Sequence, residues 1–301
     1  MAEYVIIDAH VHTYQSRDVG LQAKQGSSIT DYAGTLDELL PIMETAGISK
    51  VVMVNMLPLA DMRDAALTRL PEGLSQADRE EAIKEIDGRM LGRLRRRNSW
   101  TCSLGEENPS LIPFITVDPL MDESTMITEI VDKVNRQGAK GIKLHPASQR
   151  FFPGDGRLWP AYETAQELRL PIIFHSGTFA GGTQYAEPKN FVEVLDSFPS
   201  LTLVLAHLGM GFVSEAISLS KTYPNVQFDC SGIISTGERG ISDADFVGVI
   251  REIRVERVMF GSDFPWFDPG TAIERLISLD FSEQERRLIL AENAMRIYRL
   301  A

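Results

Sequence analysis

The sequence predicts an α/β fold, a (β/α)8 barrel with a helical insertion between strands two and three. Three observations predict it: eight short apolar runs, helix-patterned segments between those runs, and polar side chains that end several of them. The runs are apolar enough to be buried on both faces, as parallel strands are. The predicted strands cover residues 4–10, 50–56, 111–118, 139–145, 170–176, 201–207, 226–232 and 257–263.

The segments between the strands have recognisable helix boundaries. TLDELLPIMETAG begins after Thr35 and stops at Gly47, and STMITEIVDKVNRQG begins at Ser124 and stops at Gly138. A hydroxyl residue at the start and a glycine at the end are typical helix caps. Because no Pro, Gly or Ser-rich linker divides the chain, we predict a single domain over residues 1–301.

One connection is much longer than a barrel requires. Residues 57–110 separate strands two and three, and they contain a predicted helix from about Gln76 to Arg97 that begins at Ser75. Because this insertion leaves the carboxyl end of a strand, we expect a packing helix on the flank of the barrel, a lid, or an oligomer contact. The RLRRR run at its end favours a solvated helix terminus over an anion site, because cations complement the helix dipole there.

Composition excludes several classes of partner. The 30 Lys and Arg against 42 Asp and Glu give a net charge of −12, which repels nucleic acid and anionic membrane surfaces. No apolar run reaches the ~18 residues of a spanning helix, and the N-terminus lacks a signal-peptide pattern. Cys102 and Cys230 are too few for a disulfide framework. We therefore expect a cytoplasmic protein that acts on a small molecule.

The histidines have a shared location. All five end apolar runs, and FGSDFP places Asp263 in the equivalent position on strand eight. The period of two in a strand points residues 10 and 12 to the same face, so both can bind one ion. The five histidines are His10, His12, His145, His175 and His207.

Convergence of these side chains supports a closed barrel. A metal with imidazole and carboxylate ligands requires them to meet at one point. The strand ends of an open, doubly wound sheet lie too far apart for this, whereas a closed barrel gathers them at one rim. The ligand types suit Zn(II) with an open position for water, and they are also compatible with Mn(II) or Fe(II).

The motifs DAHVHT, GIKLHP, FHSG, LAHLG and FGSDFPW resemble the amidohydrolase superfamily of metal-dependent TIM-barrel hydrolases. The resemblance spans essentially the whole chain. It is strongest to the branch that includes aminocarboxymuconate semialdehyde decarboxylase and related decarboxylases, hydratases and lactonases. It implies metal ligation by His10, His12, His175 and Asp263, with His207 in the catalytic site.

Strand four leaves two alternatives open. Lys143 and His145 lie two residues apart and share a face. In binuclear members of the superfamily a strand-four lysine is carboxylated and bridges two metals, which would make His207 a ligand of the second ion. In the decarboxylase-like branch one metal is present, His207 is an acid and base, and strand four lines the substrate pocket. We favour one metal; Lys143 could also be a buried amine paired with Asp8 or Asp118.

The expected activity is metal-dependent hydrolysis of a small carboxylated, lactone or amide substrate by metal-bound hydroxide. Asp263 would transfer the proton, and His207 would polarise the substrate oxygen. The first alternative is a decarboxylase or hydratase on the same scaffold, and the second is a barrel that holds metal without turnover.

Substrate contacts are less clearly indicated. Arg150 and Arg239 follow strands four and seven, where either guanidinium could bind a carboxylate, although exposure to solvent is commoner for arginine. Trp266 follows strand eight and could form a wall of the pocket. A homo-oligomer is expected from fold analogy alone.

Overall fold

A computed structural model describes residues 4–24, 27, 29–236 and 241–300. Within these residues, eight strands pair in parallel and in chain order, each with the next. The strands are β1 Ile6–Val11, β2 Ile48–Val54, β3 Leu111–Ile115, β4 Gly141–Leu144, β5 Ile172–Phe174, β6 Leu203–Leu205, β7 Val226–Asp229 and β8 Val258–Met259. The predicted strands are thus all present, but most are shorter than the apolar runs that predict them.

Backbone hydrogen bonds close the sheet between its first and last strands. The amide of Ala9 donates to the carbonyl of Phe260 at 2.9 Å, and the amide of His12 donates to Phe264 at 2.7 Å. The Asp263 amide donates to the carbonyl of His10 at 2.9 Å. The predicted (β/α)8 barrel, a TIM barrel, is therefore confirmed, and the residues just beyond β8 are bonded to β1.

Helices surround the barrel. The cap prediction at α2 is confirmed, because Thr35 and Glu38 form a capping box and Gly47 ends the helix with a φ of 69°. Helix α5 begins earlier than predicted, because the Asp122 carboxylate accepts from the Thr125 amide. The helices are α1 Arg17–Ala23, α2 Leu36–Ala46, α3 Leu59–Leu67, α4 Gln76–Glu107, α5 Glu123–Gln137, α6 Pro146–Gln149, α7 Trp159–Glu167, α8 Thr183–Ala186, α9 Val192–Ser197, α10 Val213–Thr222, α11 Ile233–Thr236, α12 Asp243–Ile253, α13 Pro269–Ser278, α14 Glu283–Arg287 and α15 Asn293–Tyr298.

The insertion between β2 and β3 forms α3 and the long helix α4. As predicted, α4 begins after Ser75, whose hydroxyl accepts from the Asp78 amide. It continues to Glu107 instead of ending near Arg97, so the arginine run lies inside the helix. The prediction of a solvated helix end is therefore wrong for this run, since Arg97 is buried.

Two apolar clusters hold the layers together. The larger packs the outer helices against the barrel wall. The smaller fills the inside of the barrel and extends to α15, where Tyr298 packs edge-on against Phe114 with ring centroids 5.1 Å apart. The opposite end, at the carboxyl termini of the strands, is lined by polar side chains. No helix in the described part of the chain has the length and apolar character needed to cross a membrane.

Candidate functional site

A β-bulge in β1 directs His10 into the barrel. Ile7 and Ala9 belong to the apolar cluster inside the barrel, so strict alternation would point residue 10 outwards. Between Asp8 and Val11, however, β1 advances three residues while β2 advances two. The extra residue shifts the alternation. The fully buried imidazole of His10 consequently reaches the carboxyl end of the barrel.

The structure brings three of the four predicted metal ligands together. One ligand atom each from His10, His12 and Asp263 lies within 4.8 Å of the other two. The Asp263 Oδ1 atom is 3.5 Å from His12 Nε2 and 3.7 Å from His10 Nε2. The fourth predicted ligand, His175, lies outside this group, although its buried Nε2 has no hydrogen-bond partner among the described residues.

The backbone at Asp263 is left-handed. Asp263 lies beyond the end of β8 with a φ of 65°, and His207 lies in a turn beyond β6 with a φ of 61°. Non-glycine residues at positive φ are uncommon and are concentrated at functional sites. The expectation that strands themselves present these two side chains is therefore wrong, because tight turns after the strands do so.

Asp229 is a site residue that the sequence analysis missed. It ends β7, is fully buried, and its Oδ2 accepts from His10 Nδ1 at 2.9 Å. Its Oδ1 accepts from the His207 amide and the Ser231 hydroxyl. Burial alone would raise the pKa of Asp229, but His10, His207 and Ser231 together hold it below its ordinary value. This contact fixes the His10 ring and leaves the lone pair on its Nε2, the atom that can act as a ligand. The carboxylate that ends the apolar VQFD run was the signal available in the sequence.

Ser231, which follows Asp229 just after β7, fixes the ring of His207. Its Nδ1 lies 3.0 Å from the carbonyl oxygen of Ser231 and 2.9 Å from the Ser231 hydroxyl. Because the carbonyl can only accept, we assign the proton to Nδ1, which makes Nε2 the lone-pair atom. The ring centroid of His207 is 5.0 Å from that of His10 and 4.9 Å from that of His175.

His145 and His175 form a stacked pair next to His207 at the carboxyl end of the barrel, which we call the mouth. Their ring centroids are 4.0 Å apart with planes 4° from parallel, and Phe179 packs edge-on against both. The His145 Nδ1 accepts from the Ser148 amide at 3.2 Å. Burial lowers the pKa of both imidazoles well below the ordinary value. Both rings are therefore neutral.

Lys143 contacts His10 and neither of the two carboxylates suggested for it. Its Nζ is 3.4 Å from His10 Nε2, and no ion pair with Asp8 or Asp118 occurs in the described structure. Burial lowers the pKa of the ammonium group to about 8, against the opposing effect of Asp229 and Asp263. Lys143 therefore lies at the position where the binuclear alternative places a carboxylated lysine, and its Nζ faces the predicted ligand His10.

The three remaining predicted residues have different locations. The ring of Trp266 lies edge-on to His12 with centroids 5.2 Å apart, so it belongs to the mouth. Arg150 is instead half exposed and pairs with Asp61 and Asp64 of α3 in the insertion. Arg239 lies outside the described residues.

Asp8 is a second buried carboxylate that the sequence analysis treated only as a partner for lysine. Its Oδ1 accepts from the amides of His10 at 3.1 Å and Ser262 at 2.9 Å, and thereby joins β1 to the segment after β8. Burial raises its pKa to about 7.

The donor set fits a divalent metal. Burial, followed by repulsion from Lys143, lowers the pKa of His10 to about 3, and burial lowers that of His12. Neutral imidazoles have a lone pair to donate. Burial would raise the pKa of Asp263, but the hydrogen bond from His12 and the nearby histidines hold it below its ordinary value. Two neutral imidazoles and an ionised carboxylate within reach of one point are the ligand types that Zn(II), Mn(II) and Fe(II) bind.

The family model described as Amidohydrolase matches residues 7–300. The chain belongs to the amidohydrolase family. A curated relative, the gamma-resorcylate decarboxylase of Polaromonas sp. (strain JS666), is 21% identical over 247 residues, which are 68% of this chain and 76% of the relative.

Two solved structures have the same fold. A 2,6-dihydroxybenzoate decarboxylase complexed with 2,6-dihydroxybenzoate has a TM-score of 0.73 and 16% identity, covering 99% of this chain and 100% of its own. A dihydroxybenzoic acid decarboxylase from Polaromonas sp. JS666, with bound manganese and the inhibitor 2-nitroresorcinol, has a TM-score of 0.72 and 16% identity, covering 99% and 97%.

These relatives correct one sequence-based prediction. Hydrolysis was the expected reaction, and this expectation is wrong, because the similar proteins are decarboxylases and thus lyases. The first alternative, decarboxylation on the same scaffold, agrees with them better. The motifs specify the ligands of a metal, and the same ligands serve both reactions. They therefore identify the family without identifying the bond that breaks.

Proposed function

We propose that the protein is a metal-dependent decarboxylase of small aromatic carboxylic acids. The observation that supports this most directly is the group formed by His10, His12 and Asp263 at the mouth of the barrel, with His207 beside it. The likeness to decarboxylases of dihydroxybenzoates supports the choice of reaction and of substrate class.

We further propose one divalent metal ion per chain, held by His10, His12, His175 and Asp263. The unpartnered buried Nε2 of His175 supports its inclusion as a ligand. When bound, the ion supplies positive charge that stabilises an anionic substrate and the charge that develops on its oxygens. The manganese in the structure of a relative makes Mn(II) the first ion to test, and the ligand types make Zn(II) the second.

The proton chemistry is assigned to Asp263. Decarboxylation breaks the bond between the ring carbon and the carboxylate, releases carbon dioxide, and requires one proton at that ring carbon. Because Asp263 is ionised in the free site, it first accepts a proton from a ring hydroxyl next to the carboxylate. It then donates that proton to the ring carbon, and the phenolate regains a proton from water.

The other mouth residues bind and orient the substrate. His207, fixed by Ser231, presents Nε2 as an acceptor for a substrate hydroxyl. The Lys143 ammonium and the His145 ring line the side formed by β4, and Trp266 forms a wall beside His12. Arg150 has no part in this assignment, because its guanidinium is paired with the insertion.

Product analysis tests the proposal. Protein loaded with Mn(II) or Zn(II) should convert 2,6-dihydroxybenzoate, or an isomer of it, to the dihydroxybenzene with one carbon dioxide released per molecule. Metal analysis should give about one equivalent per chain, and chelation should abolish turnover until metal is restored. Absence of carbon dioxide from the whole dihydroxybenzoate series would reject the reaction. About two equivalents of metal, with added mass on Lys143, would reject the single ion.

A further inference from the structure

Arg97 is a buried cation beside the candidate site. Its side chain extends from α4 in the insertion, and only 8% of the residue's surface is exposed. One guanidinium nitrogen, Nη2, donates to the backbone carbonyl of Thr13, the residue that directly follows His12. The insertion therefore places a positive charge next to the segment that directly follows β1 and begins with the proposed metal ligand His12.

This arginine has no carboxylate partner in the described part of the chain. The buried Nε has no hydrogen-bond partner there, and the Tyr14 side chain is one neighbour that favours its charge. Burial lowers the pKa of the guanidinium to about 10, which still leaves it charged at neutral pH. Buried charges are normally paired, because desolvation of an isolated charge is costly. The other arginines of the run, Arg93, Arg95 and Arg96, are exposed on the helix.

Two aromatic rings hold the guanidinium in place. Its carbon lies 5.2 Å from the ring centroid of Tyr14 and 4.6 Å from that of Trp100. Such contacts stabilise a cation without neutralising it, and they fix its planar group. A fixed guanidinium whose buried Nε–H group has no partner among the described residues can donate that hydrogen bond to a carboxylate.

We infer that Arg97 binds the carboxylate of a small aromatic acid at the mouth of the barrel. The insertion then supplies part of the substrate pocket, and the missing counter-ion of Arg97 is the ligand itself. The inference rests on the proposed function for the aromatic acid as ligand class, while the residue is identified by its burial and lack of a partner.

Binding of benzoate and of its neutral analogue benzyl alcohol to metal-loaded protein tests the inference by calorimetry. The Arg97→Met variant should bind benzoate at least about tenfold more weakly than wild type, with unchanged affinity for benzyl alcohol. Arg97→Lys, which keeps the charge but not the planar fork, should fall between them. The matched control, Arg96→Met on the same helix, should behave as wild type.

Tryptophan fluorescence gives a local readout, because Trp100 contacts the Arg97 side chain. Benzoate should change the emission of wild type, and Trp100→Phe should remove that change without weakening binding more than about twofold. Circular dichroism establishes that each variant is folded. If Arg97→Met unfolds, Arg97→Lys provides the comparison.

Equal benzoate affinity in wild type and a folded Arg97 variant would overturn the inference, as would absence of benzoate binding to wild type. Both results are distinct from failure of the proposed function. If no carbon dioxide is released while benzoate binding depends on Arg97, the reaction is wrong and the carboxylate site stands.

Discussion

The inside of the barrel has an apolar floor and a polar mouth, although the same strands form both. On β1, Ile7 and Ala9 belong to the floor, while His10, which directly follows Ala9, lies at the mouth. The floor is built mainly from apolar side chains. At the mouth, by contrast, several side chains are titratable and hydrogen-bond across the seams, as His10 does with Asp229 and Asp8 does with the Ser262 amide. We infer from this difference that buried residues at the floor stabilise the fold, whereas buried residues at the carboxyl end of the strands are available to contact a ligand.

The largest expected effect is on the mouth. Asp263→Asn removes the group proposed to carry the proton, and turnover should fall by at least about 100-fold. Asparagine tolerates the left-handed backbone found at this position, so the midpoint of thermal unfolding should stay near that of wild type. Steady-state kinetics at saturating metal measure the loss. A variant with a near-normal rate would refute the role given to Asp263.

A floor substitution should give the opposite result. Phe114→Ala removes a fully buried ring that packs on Tyr298, and we expect a loss of about 3–5 kcal/mol in the free energy of unfolding. Urea denaturation measures this loss. Activity per folded molecule should remain close to that of wild type, because Phe114 lies at the floor. If activity fell while stability did not, the separation of floor and mouth would be wrong.

Asp229 should affect metal binding more than folding. In Asp229→Asn the His10 ring loses its carboxylate acceptor, and metal affinity should fall by about 10–100-fold. Competition with a chromogenic chelator measures the affinity. Asp118→Asn is a matched control, since Asp118 is buried but accepts from Gln149 and not from a site histidine. Equal affinities in the two variants would show that Asp229 does not orient His10.

The smallest effect is expected at the edge of the mouth. Arg150 pairs with two exposed acidic residues of α3, and exposed ion pairs contribute little. Arg150→Met should therefore change the free energy of unfolding by only about 0–1 kcal/mol. The KM for an aromatic acid should not change. A marked rise in KM with unchanged stability would return Arg150 to the substrate pocket, as the sequence suggested.

The fold and the main side chains of the mouth could be predicted because both follow simple rules. Apolar runs of strand length alternate with capped helices, and residues that end parallel strands meet at one rim. Lys143 and His145 illustrate this, since both reach the mouth as the period of two predicts. The placement of His10 was predicted for a reason that was incomplete, because it depends on the bulge in β1.

The residues that were missed act through contacts distant in sequence. Asp229 becomes part of the site because β7 brings it to His10 in the closed barrel. The sequence shows that a carboxylate ends the apolar VQFD run, but it does not show that this carboxylate contacts His10. Arg97 was interpreted as one of several similar arginines. The helical period alone did not reveal which of them faces the barrel, and Arg97 is the buried one inside α4.

The closing hydrogen bonds between residues 9–12 and 260–264 join β1 to the segment after β8. During synthesis on a ribosome, His10 and His12 emerge long before Asp263 does. The site they form together therefore cannot assemble until the segment after β8 has been made. A shortened product that stops before residue 263 would lack Asp263 and the two seam hydrogen bonds made by residues 263 and 264, so under the proposed function it should show no turnover.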